Sequence, residues 1–261
     1  MPIEPSVPIT AISQEQFHEV DRVMMGHSFD IHNQFGRLLD EVIYKTELAD
    51  RCSQNGFQIQ REVLIRVRHH AFVKDYFLDL LVGGSTILEA KTVKELTEAH
   101  HGQGVNYLLL AGTHHGSLVN FRPARVERKF LSTRLTHAIR GRFETTELSW
   151  PQDDEHARLR DCVIDLCRDV GLGLDLPLYR EAIARLTGSS GHVVPIVSGT
   201  KTIGHQEMNL LRPDVGLAVT ALSELNDYRS HLKRLLAITP LSGIAWVNLK
   251  LGAIHFEGLR R

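Results

Sequence analysis

Between Ser13 and Phe35 apolar residues recur at helical spacing: Phe17, Val20, Val23, Met24, Phe29, Ile31 and Phe35. That period predicts one amphipathic helix, interrupted at Gly36. A second helix is predicted over 38–55, with Leu38, Leu39, Val42, Ile43 and Leu48 on one broad face and Gly56 as its stop. Three short β-rich runs follow, near 61–68, 72–82 and 86–92, jointed at His69-His70 and at Gly83-Gly84-Ser85. Gly-Gly between apolar runs is a hairpin signal. A helix over 97–111 and a strand over Ser117–Phe121 complete an α-α-β-β-β-α-β order. The first ten residues, with three prolines, read as a loose arm.

From Glu155 onward the same order of patterns returns. Phe29–Tyr44 lies over Ile164–Tyr179 at a constant offset of 135, matching Gly36 to Gly171, Leu39 to Leu174, Asp40 to Asp175 and Tyr44 to Tyr179. Val193–Ser198, Met208–Leu211 and Val215–Ala221 match the three β runs, and Ala245–Leu249 matches Ser117–Phe121 at an offset of 128. Such self-similarity predicts two diverged copies of one α/β unit. The expected layout is a first copy over 1–135 and a second over 145–261. A basic link over 122–145 would join them.

Length agrees with this: 261 residues suit one large or two small domains of about 150 residues or less. An apolar fraction of 43% and a charged fraction of 23% exclude a disordered, collagen-like or disulfide-scaffold chain. Thirty basic against 31 acidic residues exclude a bulk cationic nucleic-acid coat but leave room for a local basic patch. Cys52, Cys162 and Cys167 make neither a disulfide framework nor a four-Cys metal site, and reduced thiols point to a cytoplasmic protein. The N-terminal stretch has no apolar segment of signal-peptide type, and no apolar run approaches the ~20 residues of a membrane span.

The polar residues inside apolar strands carry the candidate chemistry. Asp79 interrupts Leu78–Val82, and Glu89 and Lys91 interrupt Ile87–Lys91. Residues i and i+2 of a strand share a face, so Glu89 and Lys91 project together beside Asp79. Burying two carboxylates is costly unless a cation holds them. Mg²⁺, or Mn²⁺, suits such oxygen ligands and keeps waters and substrate phosphates in its shell. The ammonium would orient the attacking water and offset negative charge as it develops. A salt bridge from Lys91 to Asp79 or Glu89 is the plain alternative. Glu41 on the second helix offers a third carboxylate, unless it is an exposed helix residue. Gln103 and Tyr107 share a helix face four residues apart, with His100 three before Gln103.

This ordered set resembles the GxxExxY-type branch of the PD-(D/E)xK nucleases. Gly36–Tyr44 (GRLLDEVIY) resembles its GxxLxExxY helix through Glu41 and Tyr44, with Leu38 standing where the motif has a second glycine. Tyr76–Val82 resembles its YxxDLLV strand, Ile87–Lys91 its ExK strand, His100–Gly112 its QxxxY helix and Ser117–Phe121 its closing strand. The resemblance covers about residues 18–125. It implies two tandem restriction-endonuclease-like units, each a mixed sheet flanked by helices, forming a pseudo-dimer within one chain. It further implies metal-dependent phosphodiester hydrolysis, with DNA favoured over RNA. The implied catalytic set is Glu41, Asp79, Glu89, Lys91, Gln103 and Tyr107, the first three as metal ligands.

The second copy departs from that pattern. Leu176, Asn209, Ala218 and Thr220 stand where Glu41, Asp79, Glu89 and Lys91 are expected, and Leu235 or Leu236 stands for Tyr107. The glycine, the tyrosine and the strand pattern remain, which suggests a degenerate copy and one site per chain. The protein would then act as a monomer with an internal pseudo-dimer, or as a homodimer. Between 122 and 142, Arg122, Arg125, Arg128, Lys129, Arg134, Arg140 and Arg142 face a single acid, Glu127. This stretch is expected either to bind phosphates, Arg122, Arg125, Arg128, Lys129 and Arg134 foremost, or to form a solvated basic linker. His-His pairs at 69–70, 100–101 and 114–115 lack an accompanying His-x3-His pattern, so zinc is not expected. The alternative to a nuclease is a non-catalytic nucleic-acid-binding or scaffold protein that keeps the fold; a small-molecule phosphodiesterase is a third reading.

Overall fold

A computed structural model describes residues 2–261. The chain begins with β1 (Ile3–Pro5), α1 (Gln14–Phe35), α2 (Glu41–Gln54), β2 (Ile59–His69), β3 (Phe72–Val82) and β4 (Thr86–Lys91). It continues with α3 (Glu98–Ala111), β5 (His115–Asn120), β6 (Glu127–Ser132), α4 (His137–Arg140) and β7 (Glu144–Leu148). Next come α5 (Asp154–Val170), α6 (Leu176–Thr187), β8 (Ser190–Ser198), β9 (Lys201–Arg212), β10 (Val215–Thr220), α7 (Asn226–Ala237), β11 (Gly243–Lys250) and β12 (Ala253–Arg260). Two compact units divide these elements. The first holds the residues up to Val67 and Lys74–His137; the second holds Arg68–Val73 and Ala138–Arg261.

The first unit is a six-stranded mixed sheet in the order β1-β2-β3-β4-β5-β6. The β3–β4 hairpin turns at Gly83 and Gly84, both at positive φ, a conformation open to glycine at little cost. α3 then carries the chain across to β5, which runs parallel to β4. Ser13 caps α1 in a reciprocal pair with Gln16. Met24, Ile31, Tyr44 and Leu48 of α1 and α2 form a buried core with Leu80, Leu88, Ala90 and Val119 of the sheet. α3 packs on β5 and β6, and Gly104 leaves no room there for a side chain against Leu131.

The second unit repeats the pairing. Its sheet runs β7-β12-β11-β10-β9-β8, with β10 and β11 parallel across α7 as β4 and β5 are across α3. Only the added edge strand differs: β1 lies beside β2 in the first unit, and β7 beside β12 in the second. Leu232 and Leu236 of α7 pack on Ile244 and Trp246 of β11. The repeat extends to single atoms. Tyr44 donates to Gly36 O at 2.7 Å and accepts from Leu39 N at 3.2 Å. Tyr179 donates to Gly171 O at 2.6 Å and accepts from Leu174 N at 3.1 Å. Each tyrosine thus closes the turn between its two helices.

Three expectations are corrected. The N-terminal arm contributes β1, because Ile3–Pro5 pairs with Ile65–Val67. The stretch expected as a basic link is mostly built in: β6 pairs along β5, β7 along β12, and Arg140 is buried, donating to Val170 O and Leu172 O. α2 starts at Glu41 rather than at 38, and Leu38, Val42 and Ile43 are exposed, since Tyr44, Leu48, Ala49 and Cys52 form its buried stripe. No described helix is long and apolar enough to cross a membrane.

Replacing either clamp hydroxyl leaves a turn N–H and C=O without their partner. Tyr44→Phe and Tyr179→Phe should each destabilise its own unit by about 1–3 kcal/mol, read as a shift in the urea midpoint at unchanged slope.

Candidate functional site

The glycine turn fixes the register of β3 on β4 as Val82 to Thr86, Leu81 to Ile87 and Leu80 to Leu88. One residue further, side chains enter the ladder. Asp79 N donates to Glu89 Oε1 at 3.2 Å, and Ala90 N donates to Asp79 Oδ2 at 2.9 Å. Each carboxylate is therefore held by backbone at the point where the strands part. Leu88 and Ala90 belong to the core beneath α1 and α2, so Glu89 and Lys91 take the opposite face of β4. Lys91 Nζ lies 3.6 Å from Glu89 Oε2.

Asp79 is 8% exposed and Glu89 only 2%. Burial pushes the Glu89 carboxyl well above the usual carboxylate range; the neighbouring Asp79 adds to the rise and Lys91 opposes it. Glu41, the first residue of α2, reaches the end of β4, where the Thr92 amide donates to it. Its carboxyl is also raised, first by burial and then by Asp79, with Lys91 and Lys45 working against the rise.

Lys45 is the member that sequence reasoning missed. It lies one helical turn beyond Glu41, and its Nζ sits 2.8 Å from both Asp79 Oδ1 and Glu62 Oε1. Burial alone would lower its pKa, but the hydrogen bonds to Asp79 and Glu62 outweigh burial and hold it raised. The i,i+4 spacing from Glu41 was the available signal. Asn120 was also missed. It receives the Val93 amide at 3.0 Å and donates to Val93 O at 2.8 Å, fixing the chain just after Lys91.

Asp79, Glu89 and Lys91 thus come together, and Glu41 is near enough to feel the charges of Asp79 and Lys91. Gln103 and Tyr107 form a pair of their own on α3, 3.1 Å apart, with Tyr107 edge-on to Tyr76 of β3. His100 is drawn into helix capping instead, its Nδ1 receiving the Thr97 amide at 3.0 Å. The basic residues divide. Arg122 donates to the backbone carbonyls of Thr92 and Leu39, at 3.4 and 3.5 Å, beside the site. Arg128 ion-pairs with buried Asp21 at 2.6 Å, and Lys129 lies 3.8 Å from Glu98. Arg125 and Arg134 are exposed.

The donor set fits a hard divalent cation. It offers carboxylate oxygens, and the raised Glu89 and Glu41 mark negative charge that burial leaves poorly compensated. The three carboxylates are nonetheless spread. Among the described residues, the group whose ligand atoms all lie within 4.8 Å of one another is His69, His70 and Asp165 instead.

The second unit carries no charge at the positions matching Glu89 and Lys91. Lys91 pairs with Asn120, and Thr220 with Asn248. Asn248 holds Leu222 N and O at 2.7 and 3.0 Å, as Asn120 holds Val93. That register sets Ala218 at the place of Glu89. Arg180, 135 residues after Lys45, donates to Val219 O at 2.9 Å. A cavity of about 220 Å³ beside Arg180, Asn209 and Ala218 lies there.

Residues 18–131 match the family model of the PD-(D/E)XK nuclease superfamily. The matched span runs from α1 to β6 and includes all six candidate site residues; the second unit lies beyond it. No curated protein and no solved structure matches the chain.

The raised Glu89 carboxyl has a thermodynamic consequence. Its folded-state pKa exceeds its unfolded value, so the native state binds the extra proton and stability falls as pH rises above about 4.5. Glu89→Gln removes that dependence. Without divalent metal, the variant should melt several degrees above wild type at pH 7, and the gap should close near pH 4.

Proposed function

From the match of residues 18–131 to the family model of the PD-(D/E)XK nuclease superfamily, we propose that the first unit is a divalent-metal-dependent nuclease acting on DNA, with one active site per chain. The supporting observation is the interlocked pair of Asp79 and Glu89, set into the strand backbone with Lys91 beside it.

Asp79 and Glu89, with Glu41 as the third carboxylate, would hold Mg²⁺ or Mn²⁺. When bound, such a cation polarises the scissile phosphate and lowers the pKa of its water. Lys91 supplies a positive charge at the same place. It orients the nucleophilic water and offsets the negative charge that gathers on phosphorus oxygens during attack. Lys45 neutralises Asp79 in the meantime and keeps its carboxylate in position. Arg122 and Asn120 fix the backbone of Thr92 and Val93, the two residues that follow Lys91, and so steady the end of the strand that carries its ammonium. Gln103 braces Tyr107 on α3, and the pair offers a donor surface to a phosphate. Exposed Arg125 and Arg134 add sequence-independent phosphate contacts. The second unit, with Ala218 and Thr220 in place of the acid and the lysine, serves as a non-cleaving copy.

One observation favours a different reading. The Lys45 ammonium already occupies Asp79 Oδ1, the position a metal would take, which suits a binding protein that never loads a cation. Calorimetric titration with Mn²⁺ separates the two readings, because only the nuclease shows binding that Asp79→Asn removes.

Supercoiled plasmid incubated with the full chain and Mg²⁺ or Mn²⁺ tests the proposal. With the chain acting as a monomer, nicked circles should accumulate before linear product, because a single site cuts one strand at a time. Asp79→Asn, Glu89→Gln and Lys91→Met should each slow cleavage by about 10²–10⁴-fold, and chelator should stop it. Equal cleavage by Asp79→Asn and wild type would sink the assignment.

A further inference from the structure

The second unit carries a cluster that the nuclease reading leaves unused. His69 and His70 lie on the Arg68–Val73 segment, and Asp165 and Asp169 lie on α5, all within that unit. The two aspartates are one helical turn apart and share a face of α5. Neighbouring residues of an extended strand point to opposite sides. His70 has φ +49°, and this turn in the backbone brings both imidazoles to one side, with ring centroids 4.4 Å apart.

The hydrogen bonding of His69 is incomplete in a specific way. Its Nδ1 lies 2.7 Å from Asp169 Oδ2. A carboxylate only accepts, so Nδ1 carries a ring proton, and in the neutral tautomer that this selects Nε2 holds a lone pair. That Nε2 is buried without a hydrogen-bond partner, in a residue only 5% exposed. It faces Asp165 Oδ2 at 3.6 Å, another acceptor. His70 Nε2 reaches the same oxygen at 2.9 Å. That oxygen only accepts, so His70 Nε2–H donates to it, while the His69 Nε2 lone pair beside them has no partner; a cation in place of the His70 proton would join all three.

We infer that His69, His70 and Asp165 form a transition-metal site, with Zn²⁺ as the ion, and that Asp169 orients His69 from behind. The donor chemistry selects the ion: two imidazole nitrogens and one carboxylate oxygen suit zinc better than magnesium. So does the spacing. Ligands about 2.0–2.1 Å from a tetrahedral zinc stand roughly 3.3 Å apart, and the separations of 2.9 and 3.6 Å bracket that value. Asp169 on the far nitrogen completes the carboxylate–histidine–metal arrangement that fixes the tautomer of a ligating imidazole. Water takes the fourth position. The site is separate from the carboxylates of the first unit in residues, ligand type and ion, and it ties the 68–73 turn to α5 whether or not the nuclease reading stands.

The full chain, stripped with chelator and carrying Asp79→Asn and Glu89→Gln to silence the other carboxylates, is titrated with Co²⁺ and read by visible absorption. One equivalent should bind with tetrahedral bands, and Zn²⁺ should displace it. His70→Ala and Asp165→Asn change exposed side chains, so the fold should survive them, as circular dichroism will check. Each should weaken Co²⁺ binding by 100-fold or more. Asp169→Asn, which removes no ligand, should weaken it by about 10–100-fold. Absence of Co²⁺ uptake by the folded parent would overturn the site. Uptake undiminished in His70→Ala and Asp165→Asn would overturn it equally.

Discussion

Beyond Leu88, β3 and β4 are joined through the carboxylates of Asp79 and Glu89 as well as through the backbone. Much of the first unit follows from that exchange. Accepting backbone N–H groups allows two acids to sit inside an apolar strand pair without leaving amides unpaired. The same acids then need positive charge nearby, and Lys45 and Lys91 approach from α2 and β4 to supply it. α2 must therefore begin where it does, with Glu41 and Lys45 one turn apart at the end of the sheet. The turn before α2 is in turn held by the Tyr44 hydroxyl.

The two units separate what folding requires from what the site requires. Strand order, the parallel β-α-β crossover, the tyrosine clamp and the asparagine that fixes the chain after its strand recur in both. Glu89 and Lys91 recur in neither identity nor charge, as Ala218 and Thr220 take their places. Buried ionised groups often stabilise less than well-packed apolar ones. Their presence in one of two units with the same strand order argues that they serve something other than the fold.

Element order was readable because helical and strand periods alternate cleanly, and the 135-residue offset exposed the repeat before any geometry. The acids of the site were readable because charges inside Leu78–Val82 and Ile87–Lys91 break an apolar run. Lys45 was not, since a lysine on a helix surface looks solvated until the neighbouring strand is in place. Asn120 looked like an ordinary strand residue, and its role depends on the Val93 backbone arriving beside it. His100 looked like a site residue because capping and active-site faces share the same helical spacing. Arg128 looked free for phosphate because its partner, Asp21, lies more than a hundred residues earlier. The His69–Asp165 cluster was hidden for the same reason: two of its donors are adjacent in sequence and the third is almost a hundred residues away.

The edge strands have a consequence for self-association. A sheet edge offers unpaired amides and carbonyls to any other strand, and two similar sheets in one chain double that hazard. β1 covers the β2 edge of the first sheet and β7 covers the β12 edge of the second, at opposite ends of the common strand order. β1 and β7 become edges in their turn, so each sheet keeps one end of the common order open, and the strand at that end is marked against pairing. β6 carries Glu127, Arg128 and Lys129 in a row, and β8 carries Pro195, which cannot donate to a ladder. A chain with two sheets of one common strand order thereby leaves a different end of that order open in each, so the same edge is not offered twice.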